Sequence, residues 1–320
     1  MKAMIYNTYG PPDVLQLQEL EKPVPKDHEV LIKVHASSVT TADTMMRRGD
    51  TFLSRVILGL TRPATKYRIL GTELSGIVES VGSKVSRFKP GDQVYGFRGF
   101  GTGVYAEYKC MGEKASLAMK PYNVSHKEAV ALVDGATTAL FFLKQKGGIR
   151  SGDKVLINGA SGSIGTYAVQ LAKYYGAEVT GVCSAINMEL VKALGADHVV
   201  DYTCEDFTQH EGRYDIIFDT VGKSTFMRCK RALKPRGRYL VTVAGFVPLL
   251  QTLWTRLSGG KRAILAMSVN KNRELEIIRG LVEEEKIKAI IDREYPLEDL
   301  TEAHRYVETG RKRGNVVVKI

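Results

Sequence analysis

The segment Asn158-Gly159-Ala160-Ser161-Gly162-Ser163-Ile164-Gly165 sets glycines among small and hydroxylated residues. An apolar run, Lys154-Val155-Leu156-Ile157, precedes it. Ile164, Tyr167, Ala168, Leu171, Ala172 and Tyr175 follow at helical spacing and share one face. A glycine bend between a strand and a helix offers free N–H donors and the positive end of a helix dipole, which is the chemistry of a phosphate cradle. Gly162 would let the backbone approach a diphosphate, and Gly165 would let the helix pack closely on a sheet. A strict G-x-G-x-x-G begins with Gly; here Ala160 holds that place and Gly159 stands one residue earlier. The bend therefore reads as a dinucleotide site. NAD sites usually end the second strand, about 20 residues on, with Asp or Glu on the ribose hydroxyls. Ser184 stands there after Cys183. It can donate to a 2′-phosphate that a carboxylate would repel, so NADPH is the expected cofactor. The usual basic partner is not obvious, because Asn187 occupies the place where Lys or Arg is expected. Lys192, Arg311 or Lys312 could supply the charge from elsewhere.

These residues must be carried on a strand–helix alternation, and the chain supplies one. Strand-like runs recur at 178–183, 198–200, 215–218, 239–243 and 263–267, with a helix over 188–194 that Gly195 ends. With the strand before the glycine bend, six such units predict a doubly wound, mostly parallel sheet. Helical patterning over 125–146 leads into it, and a helix over 274–285 follows it. The first ~120 residues differ: alternating runs such as Val30-Leu31-Ile32-Lys33-Val34, broken by Gly, Pro and Asp turns, predict a small, twisted, barrel-like β domain. Asn315-Val316-Val317-Val318-Lys319-Ile320 reads as a terminal strand that rejoins it.

At 320 residues, with 44% hydrophobic and 25% charged side chains, the chain fits two ordinary domains. No signal-peptide run opens it and no apolar run approaches the ~20 residues of a membrane span, so a cytoplasmic location is expected. Cys110, Cys183, Cys204 and Cys229 are scattered with no C-x-x-C pair and read as reduced thiols. The net charge of +11 is dispersed, with one compact run at Arg311-Lys312-Arg313 and no nucleic-acid-binding pattern beside it. Attraction for an anionic cofactor is the expected meaning, with no specific nucleic-acid partner.

The bend and the following Ala168-Val-Gln-Leu-Ala-Lys173 resemble the cofactor turn and helix of medium-chain dehydrogenases/reductases. Leu194-Gly-Ala-Asp197, Phe218-Asp-Thr-Val-Gly222 and Leu233-Lys-Pro235 are similar to later signatures of that family. So, in the first domain, are Gly71-Thr-Glu-Leu-Ser-Gly76, Phe88-Lys-Pro-Gly-Asp-Gln-Val-Tyr-Gly96 and Tyr105-Ala-Glu-Tyr108. The resemblance covers the whole chain. It implies an α/β fold, a Rossmann doubly wound parallel sheet plus a GroES-like β-barrel domain. The domains would be 1–122 with 288–320 for the GroES-like catalytic part and 123–287 for the Rossmann part. The family's zinc-dependent alcohol dehydrogenases carry Cys in the early loop and His in a Gly-His-Glu motif. The loop here is Ser38-Val-Thr-Thr-Ala-Asp43 and Thr72 replaces the His, so the resemblance implies the zinc-independent, quinone-oxidoreductase-like branch and no metal ligand.

The site follows by the same resemblance, at the carboxyl ends of the parallel strands. Thr40, Asp43, Tyr67 and Glu73 are the catalytic candidates, with Glu73 also readable as a turn-stabilising residue. The family commonly has Asn where Thr40 stands. The cofactor candidates are Thr138, Ala160, Ser161, Gly162, Ser163, Ile164, Ser184, Tyr202, Val221, Val243, Ala244, Gly245 and Asn315; Tyr202 also reads as a half-buried packing residue. Phe246-Val-Pro-Leu-Leu250 with Leu253 and Trp254 reads as the wall of a hydrophobic substrate site or as a dimer-interface or core segment. The expected activity is hydride transfer from NADPH to a small hydrophobic quinone or carbonyl by a homodimer. An enone C=C reductase and a non-enzymatic NADPH-binding redox sensor or RNA-contacting protein are the alternatives. A short-chain dehydrogenase is excluded, because Tyr105-Ala-Glu-Tyr-Lys109 precedes the glycine bend in a strand-like context.

Overall fold

β-Branched and aliphatic runs too short for buried helices become strands, and the amphipathic segments between them become crossovers. The computed structural model describes residues 1–50, 52–243 and 245–320. The chain forms two compact units, one of residues 1–134, 269–284 and 288–320, the other of 135–268 and 285–287.

In the second unit six parallel strands form one sheet. In chain order they are Lys154–Asn158, Glu178–Cys183, His198–Asp201, Tyr214–Asp219, Leu233–Val241 and Arg262–Leu265. Their spatial order is third, second, first, fourth, fifth, sixth. This is the doubly wound order, and its direction reverses between Lys154–Asn158 and Tyr214–Asp219. Leu156, Val182, Ile217, Phe226, Leu233 and Tyr239 belong to its core. The helical pattern over 125–146 resolves into His126–Ala131, Asp134–Leu140 and a π-helical turn, Phe141–Lys146.

In the first unit the long strand Glu29–Val39 organises the sheet. Glu73–Val81 pairs along one edge, while Tyr108–Gly112 and Asn315–Lys319 share the other. Register shifts near Leu31 and Val34 mark irregular pairing, which bends a strand and increases its twist. The C-terminal strand thus joins the N-terminal sheet, through pairs such as Val316 with Val39. Helix Asn272–Glu283 belongs to this unit: Asn272 Oδ1 accepts from Leu117 N at 3.2 Å and Leu275 O from the Tyr95 hydroxyl at 2.6 Å. Among the described residues no helix is long and apolar enough to cross a membrane.

Candidate functional site

The glycine bend lies where the sheet order reverses. Gly159 has φ +85°, and a Cβ there would meet Val221 Cγ2 at 2.3 Å and Thr220 Oγ1 at 2.7 Å. A Cβ on Gly165 would meet the Gly159 carbonyl oxygen at 2.0 Å, so only glycine lets the helix begin so close to the strand. Gly162 is different: a Cβ would find ordinary contact, 3.5 Å from the Gly159 oxygen. It is the N-cap of helix Ser163–Tyr174, and no side chain caps that end. Ala160 is fully buried, and its N–H donates to Val182 O at 3.0 Å.

The floor beneath the bend is built on a carboxylate that sequence reasoning did not single out. Asp219 is fully buried and pairs in register with Asn158. Its Oδ1 accepts from Asn158 Nδ2, Val221 N and Gly222 N at 3.1, 3.1 and 2.9 Å. Its Oδ2 accepts from Ser224 N at 3.1 Å and from the Tyr239 hydroxyl at 2.8 Å. One side chain thereby fixes the loop after the fourth strand against the ends of the first and fifth strands. Val221 is exposed above Gly159, and Val243 packs against Gly222.

Ser161 and Ser184 are brought together by Asn187, whose Nδ2 donates to Ser161 Oγ at 3.1 Å and to Ser184 Oγ at 3.4 Å. Asn187 Oδ1 is buried with no partner. The residue standing where a cation was expected is therefore the link between two hydroxyls. Tyr202 follows the third strand, beside Cys183, and is 63% exposed, so the packing reading of its ring is overturned. Lys192 pairs with Glu189 at 3.1 Å. Thr138 is buried on helix Asp134–Leu140, whose Gly135 abuts Ser163 and Tyr167. Ile164 is half-buried in the first turn of helix Ser163–Tyr174. Gly245 is the N-cap of helix Phe246–Ser258, and Ala244 lies outside the described residues. Phe246, Val247, Leu249, Leu250, Leu253 and Trp254 are all exposed on that helix, which overturns their reading as core. Asn315 belongs to the other unit, where its Nδ2 donates to Ile290 O at 3.0 Å.

In the first unit Thr40 and Asp43 form a capping box at helix Thr41–Arg48. Asp43 Oδ2 accepts from Thr40 N at 2.9 Å and Thr40 Oγ1 at 2.6 Å, while Oδ1 is buried without a partner. Burial pushes its carboxyl up to about 6, against the pull of the Thr40 hydrogen bonds. Glu73 is buried, with Ser38 Oγ donating to its Oε2 at 2.8 Å. Burial, then the neighbouring Asp134, holds Glu73 well above the usual carboxylate range. Fully buried Lys271 pairs with Asp134 at 2.9 Å. Lys312 is pushed down to about 8 by burial, though Glu73 and Asp292 pull the other way. Asp43, Glu73, Asp134, Lys271 and Lys312 thus make a charged cluster drawn from five places in the sequence. Tyr67 is half-buried in the turn Thr65–Tyr67, with Lys66 Nζ 4.7 Å from its ring centre.

All four cysteines are free. Burial raises Cys110, Cys183 and Cys229 to about 11, so they are thiols rather than thiolates. Among the described residues no group of three or more His, Cys, Asp or Glu side chains could hold a metal ion. The described residues therefore do not fit a catalytic zinc.

A parallel sheet in doubly wound order, with a glycine-bounded, uncapped helix at its switch point, defines a nucleotide-binding oxidoreductase fold. Residues 26–121 match the alcohol dehydrogenase GroES-like domain, and residues 194–318 match the family described as zinc-binding dehydrogenase. The chain is 32% identical to the chloroplastic quinone-oxidoreductase homolog of Spinacia oleracea, over all of this chain and 98% of that protein. It is 31% identical to the chloroplastic NADPH-dependent alkenal/one oxidoreductase of Arabidopsis thaliana, over 99% of this chain and 79% of that one. The solved quinone oxidoreductase from Coxiella burnetii superposes with a TM-score of 0.90 at 32% identity, covering 100% of this chain and 99% of its own. The chain belongs to the medium-chain dehydrogenase/reductase family, in its quinone-oxidoreductase-like branch.

Proposed function

We propose that this chain is an NADPH-dependent oxidoreductase that delivers hydride to a quinone-type acceptor without a metal. The observation that carries the reading is the uncapped N-terminus of helix Ser163–Tyr174 behind left-handed Gly159, with the Ser161–Asn187–Ser184 link beside it. When bound, the nucleotide supplies the hydride. The chain's own part is to bind and orient. The N–H groups that open helix Ser163–Tyr174 suit a diphosphate. Ser161 and Ser184 suit a 2′-phosphate, and the orphaned Asn187 Oδ1 suits a hydroxyl donor. Val221, Val243 and the exposed Tyr202 ring offer apolar surface for the nicotinamide and adenine ends. The same set, with Thr138, Ser163, Ile164 and Gly245, is the proposed cofactor shell on this unit.

Two-electron reduction of a quinone needs protons as well as hydride. Water can protonate the hydroquinone oxygens, so this chemistry requires no dedicated acid. Reduction of an enone places a proton on carbon, where a positioned acid helps. Glu73, kept protonated to higher pH by burial, and Asp43, near 6, are the groups with protons to give. This favours the enone C=C bond as the second reading, and the alkenal/one oxidoreductase of Arabidopsis thaliana acts on that class by its name. We also propose a homodimer, from the apolar side chains that helix Phe246–Ser258 leaves exposed; light scattering tests it.

The decisive experiment follows NADPH and NADH oxidation with 9,10-phenanthrenequinone and with an alkenal, with and without chelator. Turnover of the quinone, faster with NADPH and indifferent to chelator, supports the proposal. Tight NADPH binding without turnover of any acceptor would replace it with the binding role.

A further inference from the structure

The other edge of the parallel sheet carries a feature the oxidoreductase reading does not use. Arg150, Arg236, Arg238 and Arg262 converge with Gly260 on a pocket of about 430 Å³. Parallel register assembles it. Val155, Ile216, Arg238 and Arg262 lie in one row across four strands, and Asn158, Asp219, Val241 and Leu265 lie in a row three residues further on. At ~3.3 Å per residue the rows stand roughly 10 Å apart, with the arginines at the amino edge and the glycine bend at the carboxyl edge.

The cluster is short of counter-charge. Arg238 is anchored: it donates through Nη1 to the Gly147 carbonyl and sits 3.8 Å from Asp153. Its Nε is buried with no partner. Arg150, Arg236 and Arg262 make no side-chain ion pair among the described residues. Four guanidinium groups therefore face one carboxylate. Arg236 also holds φ +63°, a left-handed backbone that favours glycine and that strains a side chain bearing a Cβ. Strained backbone of this kind collects at ligand sites.

We propose that this pocket is a second anion site, separate from the cofactor bend, that takes a compact polyphosphate group. Guanidinium forks match phosphate oxygens two at a time. Among the described residues the lining has no aromatic ring on which a base could stack, which disfavours single-stranded nucleic acid. The phosphate group could arrive on a small molecule or on a lipid headgroup; the chemistry recognised is the same.

The test is calorimetric titration of the full chain with tripolyphosphate at low ionic strength. The proposal expects saturable binding that weakens with salt and persists when NADPH is already bound. Arg262→Ala should weaken it about tenfold, the scale of one charge-assisted contact. Arg236→Gly should weaken it similarly while raising the melting temperature, because glycine accepts the left-handed backbone; this variant cannot fail merely by unfolding. NADPH affinity should be unchanged in both. Vesicles carrying phosphatidylinositol bisphosphate supply the second arm: binding that tripolyphosphate displaces identifies a headgroup as the source. Absence of binding, binding that both variants retain, or binding abolished by NADPH would overturn the proposal. So would capture of single-stranded RNA that tripolyphosphate fails to displace.

Discussion

Gly165→Ala and Gly162→Ala differ by three residues in sequence but should fail in different ways. At Gly165 the new methyl would stand 2.0 Å from the Gly159 carbonyl oxygen and 2.8 Å from Ala160 Cα. Both obstacles are backbone, so helix Ser163–Tyr174 must move off the sheet. Overpacking of this kind costs about 3 kcal/mol, at the upper end of its usual range. For a chain of this size that corresponds to a fall in melting temperature of roughly 4–5 °C. At Gly162 the methyl has ordinary room and φ is −81°, which any residue adopts. Stability should change by less than about 0.5 kcal/mol, as for a surface substitution. The methyl would nevertheless stand at the cap of the helix, where the diphosphate must come close. Affinity for NADPH should fall about tenfold or more, equivalent to roughly 1.4 kcal/mol of lost contact. Thermal melts and nucleotide titration of both variants separate the effects. If Gly162→Ala bound NADPH as tightly as the parent, the placement of the diphosphate over this bend would be refuted.

Ser184→Asp should invert cofactor preference, lowering kcat/KM for NADPH about tenfold or more while sparing NADH, since a carboxylate repels the 2′-phosphate. Asp219→Asn turns an amide N–H₂ toward donors that the carboxylate now satisfies. It should cost about 3 kcal/mol in denaturant melts and weaken nucleotide binding with it. Asp43 gives a pH signature. Its folded pKa, about 6, lies above the ordinary 3.8, so the folded state holds the proton more tightly and this group's stabilisation, complete below pH ~4, is lost as pH rises through 6. The full swing is about 3 kcal/mol. Asp43→Asn should flatten that fall in melts at a series of pH values, and an unchanged slope would disprove the assignment.

The parallel sheet was legible because each of its strands is a local apolar run and each glycine acts on its own neighbours. The Gly159–Gly165 bend could be read residue by residue for that reason, as could the return of Asn315–Lys319 to the N-terminal sheet. What escaped depends on distant partners. Lys271 meets Asp134 from 137 positions away, and both look like surface residues in the sequence. Asp219 was visible only as a letter of the Phe218–Gly222 motif; its five donors come from two other strands and the loop that follows its own. Asn187 was judged for the charge it lacks, whereas its amide joins Ser161 to Ser184. The arginine pocket is invisible in one dimension, because parallel register alone puts Arg238 beside Arg262.

The most direct test is a titration of nucleotide-free, chelator-treated protein with NADPH, followed by a single addition of quinone. Saturable binding is expected, then oxidation of the bound nucleotide at a rate unchanged by chelator. Failure to bind either pyridine nucleotide, or turnover that returns only when zinc is restored, would contradict it.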